Sequence, residues 1–310
     1  MRLVFFGSPE SALPSFRRIL GSGHSIELVI TQPDRPAGRG KRLSYSPVKQ
    51  QALAEGIPIY QTTRIRKDPI AVAKLREINP DLNVVVAFGQ IIPESIIYLP
   101  PFNSINLHFS LLPKFRGASP VQWAILEGET TTGLTVFELN EKLDEGKILA
   151  QEMVDISPDE TAAELENRLA VIGAELLVKT ISRIQDIQPQ EQDHARASFA
   201  PRISKDDGKI NWIKDAHFIE RQIRAFTPWP STYAFYQGKR IKVTKGKREP
   251  IKPAKGKPGE IVSVDKKGIS VMCGGKTVFL IARLQPENKK EMKAYDFSLG
   301  AHIKTGQFFS

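Results

Sequence analysis

Residues 81–88, Asp-Leu-Asn-Val-Val-Val-Ala-Phe, form a nearly continuous β-branched run that stops at Gly89. A strand apolar on both faces needs cover on both faces, and parallel sheets flanked by helices supply it. The chain before this run supplies the helices. Arg2–Gly7 reads as a short apolar strand. Pro9–Leu20 reads as a helix, with Leu13, Phe16, Ile19 and Leu20 at helical spacing. Ser25–Thr31 is a second strand, completing a βαβ unit. Helices over Pro47–Glu55, Pro69–Ile78 and Pro93–Tyr98, and a short strand over Ile57–Gln61, extend the alternation. The first turn, Phe6-Gly7-Ser8-Pro9, lacks G-x-G-x-x-G, which argues against a nicotinamide enzyme.

After the central run, Ser104–Phe109 is a strand and Pro120–Glu127 a helix. Gly133–Leu139 and Ile148–Asp155 read as a pair of strands. Thr161–Ile184 is a long helix. Thr161 and Glu164 have capping-box spacing, and Leu165, Leu169, Ile172, Leu176, Leu177 and Ile181 make a core stripe. From Gln185 to Pro201 the composition turns polar and reads as a linker. Beyond one more helix, Phe218–Phe226, come short strands over 232–236, 240–244, 259–264, 269–272 and 278–282, the pattern of a small β-barrel.

The charge divides with the fold. Residues 1–206 hold 23 Lys/Arg against 25 Asp/Glu; residues 207–310 hold 21 against 9, so the formal excess of +10 lies wholly in the last third. Such asymmetry fits a polyanionic partner, nucleic acid above all, and equally describes a solvated basic surface. Gly238 to Lys257 alone carries nine basic residues and one acidic one, with no interleaved aromatics of an RNA-reading signature. Any contact there would be mainly to phosphates. A second basic stretch, Pro33-Asp34-Arg35-Pro36-Ala37-Gly38-Arg39-Gly40-Lys41-Arg42, is expected to be a long irregular loop, either a phosphate clamp or a solvated surface. No stretch is apolar for the roughly 18 residues of a membrane span. The N-terminus reads as a strand rather than a signal peptide, and the lone Cys273 excludes a disulfide framework. A reducing, cytoplasmic setting and no membrane partner are expected.

Candidate chemistry lies on the strand after the central run. Asn106 and His108 are two residues apart, so their side chains share a face, at the end of the sheet where open α/β folds bind ligands. Asn106 offers an oxyanion donor, His108 a proton carrier, and Asp144 a carboxylate to orient the imidazole. A core histidine beside a strand-end amide gives the same pattern. His24, His194, His217 and His302 lack zinc-motif spacing, and neither a Gly-x-Ser-x-Gly elbow nor a placed Cys signals covalent catalysis. The fitting chemistry is acyl transfer without a covalent enzyme intermediate.

Three motifs carry a family likeness. The first is Asn106-Leu107-His108-Phe109-Ser110-Leu111-Leu112-Pro113-Lys114-Phe115-Arg116-Gly117-Ala118-Ser119-Pro120, followed by Leu143-Asp144-Glu145-Gly146; it resembles the active site of the folate-dependent formyltransferases. The second, Thr31 to Leu43 with Ser46-Pro47-Val48-Lys49, is similar to the basic loop of the methionyl-tRNA formyltransferase branch of that family. Ile223-Arg224-Ala225-Phe226-Thr227-Pro228-Trp229-Pro230 resembles the opening of its C-terminal domain. The resemblance covers nearly the whole chain. It implies a Rossmann-like, mostly parallel α/β catalytic domain over 1–189, a linker over 190–206, and an OB-like, basic tRNA-binding barrel over 207–310. It implies Asn106, His108 and Asp144 as the catalytic set and 10-formyltetrahydrofolate as a cosubstrate along Ser110, Leu111, Leu112 and Pro113, with Phe88, Gly89 and Ile91 nearby. Arg39, Lys41 and Arg42 would grip initiator methionyl-tRNA, and the Lys239–Lys257 surface its body. No metal or permanently bound cofactor is expected, and the chain is expected to act as a monomer. Rival expectations are a sugar-nucleotide formyltransferase, a formyltetrahydrofolate hydrolase module, and an RNA-binding protein with a degenerate α/β domain.

Overall fold

The computed structural model describes residues 1–37, 42–250 and 256–310, with the side chains of Ala37 and Arg42 outside that description. The chain divides into two compact units. Unit 1 holds residues 1–120, 131–155 and 166–201; unit 2 holds 121–130, 156–165 and 202–310.

Unit 1 is built on a seven-stranded sheet. In chain order its elements are β1 (Arg2–Gly7), α1 (Leu13–Leu20), β2 (Ser25–Thr31), β3 (Arg35–Ala37), β4 (Arg42–Ser44), α2 (Pro47–Ala54), β5 (Ile59–Gln61), α3 (Pro69–Ile78), β6 (Leu82–Val86), α4 (Glu94–Ile97) and β7 (Ser104–His108). β8 (Thr131–Glu138), β9 (Ile148–Asp155) and α6 (Ala162–Ser182) follow α5 (Pro120–Glu127), whose residues 121–127 belong to unit 2, as do residues 162–165 of α6. The strand order is β5-β2-β1-β6-β7-β8-β9. The first five are parallel, and β8 and β9 run antiparallel at one side. The chain winds outward from β1 to β5, then returns to β6, so the order reverses between β1 and β6. Ligands of open α/β sheets bind beyond the strand ends at such a reversal.

The central run behaves as its composition dictates: all five residues of β6 are buried. Val4, Phe6, Leu28, Ile30, Val85 and Phe88 pack with Ile65, Leu75 and Ile96 in one apolar cluster. The capping box forms reciprocally, the Thr161 N–H donating to Glu164 Oε2 at 2.9 Å and the Glu164 N–H to Thr161 Oγ1 at 3.4 Å.

Two segments differ from the sequence expectation. The Pro/Gly/Arg stretch is not wholly irregular, because β3 and β4 pair as a short antiparallel hairpin, Arg35 opposite Ser44 and Ala37 opposite Arg42. Pro36 is tolerated because a two-stranded ribbon consists only of edges. Residues 190–200, polar enough to read as a linker, are bonded to unit 1: Gln190 and Ile148 exchange backbone hydrogen bonds of 2.9 and 2.7 Å, and Arg116 accepts one of 2.7 Å from the Ala200 N–H.

Unit 2 carries α7 (Ala216–Ala225), β10 (Tyr233–Tyr236), β11 (Lys239–Arg248), β12 (Ile261–Asp265), β13 (Gly268–Met272), β14 (Val278–Pro286), β15 (Met292–Lys293) and α8 (Ala294–Gly300). The antiparallel order is β10-β11-β14-β13-β12, with β15 on β14. The tail joins the two edge strands. Phe235 and Ser310 exchange backbone bonds on β10, while the Phe309 N–H donates to Gly259 and the Ile261 N–H to Gln307 beside β12. This edge-joined antiparallel sheet is OB-like in form and encloses Trp212, Ile241, Val243, Ile261, Ile269, Phe279, Ile281 and Phe309. Burial pushes the Cys273 thiol up to about 12, so the single cysteine is a core apolar group. No helix among the described residues is long and apolar enough to cross a membrane.

Candidate active site

β7 ends at His108, so Asn106 and His108 stand on the last turn of strand before the Phe109–Pro120 loop. Asn106 lies opposite Phe137 of β8, and His108 opposite Thr135. His108 is buried, 6 % exposed, and its ring meets Phe137 edge-on at 6.4 Å between centroids. Its Nε2 lies 2.9 Å from the Phe115 carbonyl oxygen. A carbonyl only accepts, so Nε2 carries the proton and the neutral ring keeps its lone pair on Nδ1. Nδ1 faces Asp144 Oδ2 at 3.9 Å. That distance is too long for a direct hydrogen bond. The geometry therefore leaves Nδ1 as the ring's acceptor nitrogen, facing a carboxylate. Asn106 is half-buried, and no described residue bonds its amide, which leaves both N–H donors available.

Asp144 is held from two sides. Its Oδ2 accepts the Gly117 N–H at 2.8 Å, and its carbonyl accepts from Gln192 Nε2 at 2.9 Å. Its φ of 53° lies in the left-handed region, as does the 60° of Phe115. Gly117, at φ 125°, passes so close to the Ala200 carbonyl that a Cβ would stand 2.6 Å from its oxygen. Only glycine fits there, and this brings its N–H to the carboxylate.

The Ser110–Pro113 run is braced internally. Ser110 Oγ donates to the Lys114 carbonyl at 2.6 Å, and Thr135 Oγ1 donates to the Ser110 carbonyl at 2.7 Å while accepting the Leu112 N–H at 3.1 Å. Gln151 Nε2 donates to the Leu112 carbonyl at 2.9 Å. Ser110 and Leu112 are buried, whereas Leu111 and Pro113 are half-buried. The run thus offers apolar surface rather than polar groups, which suits the flat rings of a pterin or aryl ligand. Phe88 is buried and its carbonyl accepts from Gln32 Nε2 at 2.9 Å, while Ile91 is exposed. Arg39 and Lys41 lie outside the described residues, and so does the side chain of Arg42. Just before β3, Asp34 is fixed: Lys49 Nζ bonds Asp34 Oδ2 at 2.6 Å and Gln61 Oε1 at 2.9 Å, and the Lys49 ammonium holds the Asp34 carboxyl below its usual range. In unit 2, Lys239, Lys245, Lys247 and Arg248 of β11 are exposed, and Arg240 stacks 3.7 Å over the Tyr233 ring.

Comparison with known proteins fits this geometry. A formyl transferase model matches residues 1–181, and the model of the formyl transferase C-terminal domain matches 202–302. Methionyl-tRNA formyltransferases from Geobacter metallireducens and Clostridium botulinum (strain Alaska E43) are 41 % and 42 % identical; the first match covers 99 % of this chain and 97 % of the relative, the second 98 % of each. The chain belongs to the methionyl-tRNA formyltransferase family. The N-formyltransferase from Helicobacter canadensis, solved with folinic acid and dTDP-3-aminofucose, shares the fold at a TM-score of 0.66 and 20 % identity, over 92 % of this chain and 98 % of that one. It binds a folate and a sugar nucleotide on the same architecture.

The sequence alone did not single out Gln192, Gln151 or Thr135, nor a role for Arg116. Thr135 and Gln151 lie on adjacent antiparallel strands and pair in register, a relation only the sheet supplies. Arg116, 2 % exposed, bonds Gln192 Oε1 through Nε at 3.2 Å and Nη2 at 2.7 Å, and its Nη1 lies 3.2 Å from Glu145 Oε1. Nothing in the sequence signals that Arg116 is buried; once the structure shows it, a partner is expected, since such a charge is nearly always paired.

Proposed function

We infer that this chain transfers the formyl group of 10-formyltetrahydrofolate to the α-amino group of methionine on initiator methionyl-tRNA, giving N-formylmethionyl-tRNA for translation initiation. The observation that carries this reading is the near full-length identity to methionyl-tRNA formyltransferases, in a chain whose strand-end histidine has its acceptor nitrogen turned to a carboxylate.

The strand-end geometry and the family likeness support the following roles. Asn106 donates an N–H to the formyl oxygen as the amine attacks and negative charge gathers there. His108 Nδ1 takes the proton that the amine loses, while Asp144 stabilises the imidazolium and Phe115 fixes the ring through Nε2–H. The same Nδ1–H then delivers the proton to the departing folate nitrogen. One C–N bond forms, one breaks, and the imidazole returns to its starting state. Leu111 and Pro113 present apolar surface to the folate, with Ser110 and Leu112 holding the run in shape. Arg39, Lys41 and Arg42 grip the acceptor end, and the exposed cations of β11 meet the tRNA backbone. Residues 1–189 carry the chemistry and 207–310 the tRNA surface, in a cytoplasmic monomer that needs no metal.

The test is formyl transfer from 10-formyltetrahydrofolate to methionine-charged initiator tRNA, beside uncharged tRNA, a sugar-nucleotide amine and glycinamide ribonucleotide. Formylation of the charged tRNA alone is the expected result. Donor consumed without labelled tRNA would instead point to hydrolysis or a small acceptor.

A further inference from the structure

The two family models leave residues 182–201 unmatched, between the end of one at 181 and the start of the other at 202. Part of that gap touches both partners of His108. Gln192 is 4 % exposed; its Nε2 donates to the Asp144 carbonyl at 2.9 Å and to the Gly146 carbonyl at 2.7 Å. Its Oε1 is taken by Arg116, whose Nη2 also lies 2.9 Å from His194 Nδ1. Six residues on, Ser198 Oγ accepts the Phe115 N–H at 2.9 Å and the Ser198 carbonyl accepts the Arg116 N–H at 2.9 Å. Phe115 and Asp144 hold φ angles of 60° and 53°, conformations that persist in non-glycine residues where the surroundings over-determine them. Gly146 reinforces the clamp, since its absent Cβ would fall onto the Glu138 carbonyl.

We propose that residues 190–200 form a positioning strap for the catalytic dyad: Gln192 sets the Asp144 loop, and Ser198 sets the Phe115 carbonyl that orients His108. The two groups on either side of the imidazole are thereby fixed by one segment. Gln192 and Ser198 touch no reacting atom; they act through Asp144 and Phe115. The proposal rests on the formyl-transfer reading, because it assigns the strap its effect on that proton carrier.

Gln192→Glu separates the functions of the side chain. A carboxylate still accepts from Arg116, so the buried cation stays paired, but it has no N–H for the two carbonyls and sets an anionic oxygen against them. The expected result is a fall in kcat of about 10- to 100-fold, the scale of an ångström-level misplacement. KM for folate and for tRNA stays within about twofold, since no binding surface changes. In an Asp144→Asn background the same substitution has little further effect, because the group it positions has already lost its charge. A Gln192→Glu enzyme with wild-type kcat, or one whose loss is fully retained in the Asp144→Asn background, would overturn the strap. Should that variant not fold, Ser198→Ala decides: a drop of several-fold in kcat at constant KM supports the strap, and an unaltered kcat sinks it. An inactive wild type would remove the formyl-transfer reading and the strap together, whereas an active wild type beside an unimpaired Gln192→Glu removes the strap alone.

Discussion

Asp144→Asn isolates the electrostatic part of the site. The asparagine keeps the size of the side chain and an oxygen for the Gly117 N–H, now 2.8 Å from Oδ2, so the loop has no reason to move. What disappears is the negative charge 3.9 Å from His108 Nδ1. Two unit charges at that separation attract by about 4 kcal/mol at an effective dielectric near 20, and by about 1 kcal/mol in bulk water. Both side chains are largely buried, 7 % and 11 % exposed, so the value belongs nearer the upper figure. The charge matters at the step of the proposed reaction in which the imidazole holds the amine's proton. The loss therefore falls on kcat: about 4 kcal/mol is roughly three decades, and partial screening brings the expectation to about 100- to 1,000-fold. Steady-state formylation with each substrate varied in turn measures it, with a melting curve as control. A variant that kept kcat within threefold, or lost only KM, would show that Asp144 does not stabilise an imidazolium, and the assignment of Nδ1 as the proton carrier would fall with it.

Other substitutions probe the remaining parts. His108→Ala should reduce turnover by orders of magnitude while a filter-binding or anisotropy titration gives an unchanged tRNA Kd; equal losses in both would place the histidine in binding. Asn106→Ala should cost about 100- to 1,000-fold in kcat, the usual weight of one oxyanion donor, and a full-rate variant would remove the amide from the mechanism. Arg42→Ala should weaken tRNA use and flatten its salt dependence by about one phosphate contact; a large loss of folate affinity would contradict the tRNA assignment. Burial of Cys273, its thiol raised to about 12, should make the native chain inert to a disulfide reagent at pH 8, with labelling only as fast as unit 2 opens. Prompt stoichiometric labelling would show that the β-sheet core is not closed over it.

What could be read from the chain and what could not divide along one physical line. Val84, Val85 and Val86 declare a buried central strand because both faces of that strand meet apolar cover, and a continuous apolar run is the local trace of that fact. The capping box at Thr161 and Glu164 is local in the same sense, its partners three residues apart. Asn106 and His108 could be placed on one face because a strand has a period of two, and Asp144 joined them through family likeness rather than spacing. The hairpin of β3 and β4 escaped because Pro and Gly weigh against strands in a sheet interior, whereas a two-stranded ribbon has no interior. Gln192 escaped for a deeper reason. Polar residues such as Gln190, Gln192 and Ser198 have the same composition whether they face water or saturate a ring of buried carbonyls. What distinguishes a strap from a linker is the partner: here Arg116, 76 residues earlier, and the carbonyls of Asp144 and Gly146. The burial of Arg116 is itself invisible in the sequence; once removed from water its guanidinium must find acceptors, and Glu145 of the same motif supplies one while Gln192 supplies another. The second acceptor is also the donor that holds Asp144, so the requirement to pair Arg116 and the requirement to position the carboxylate are met by the same side chain.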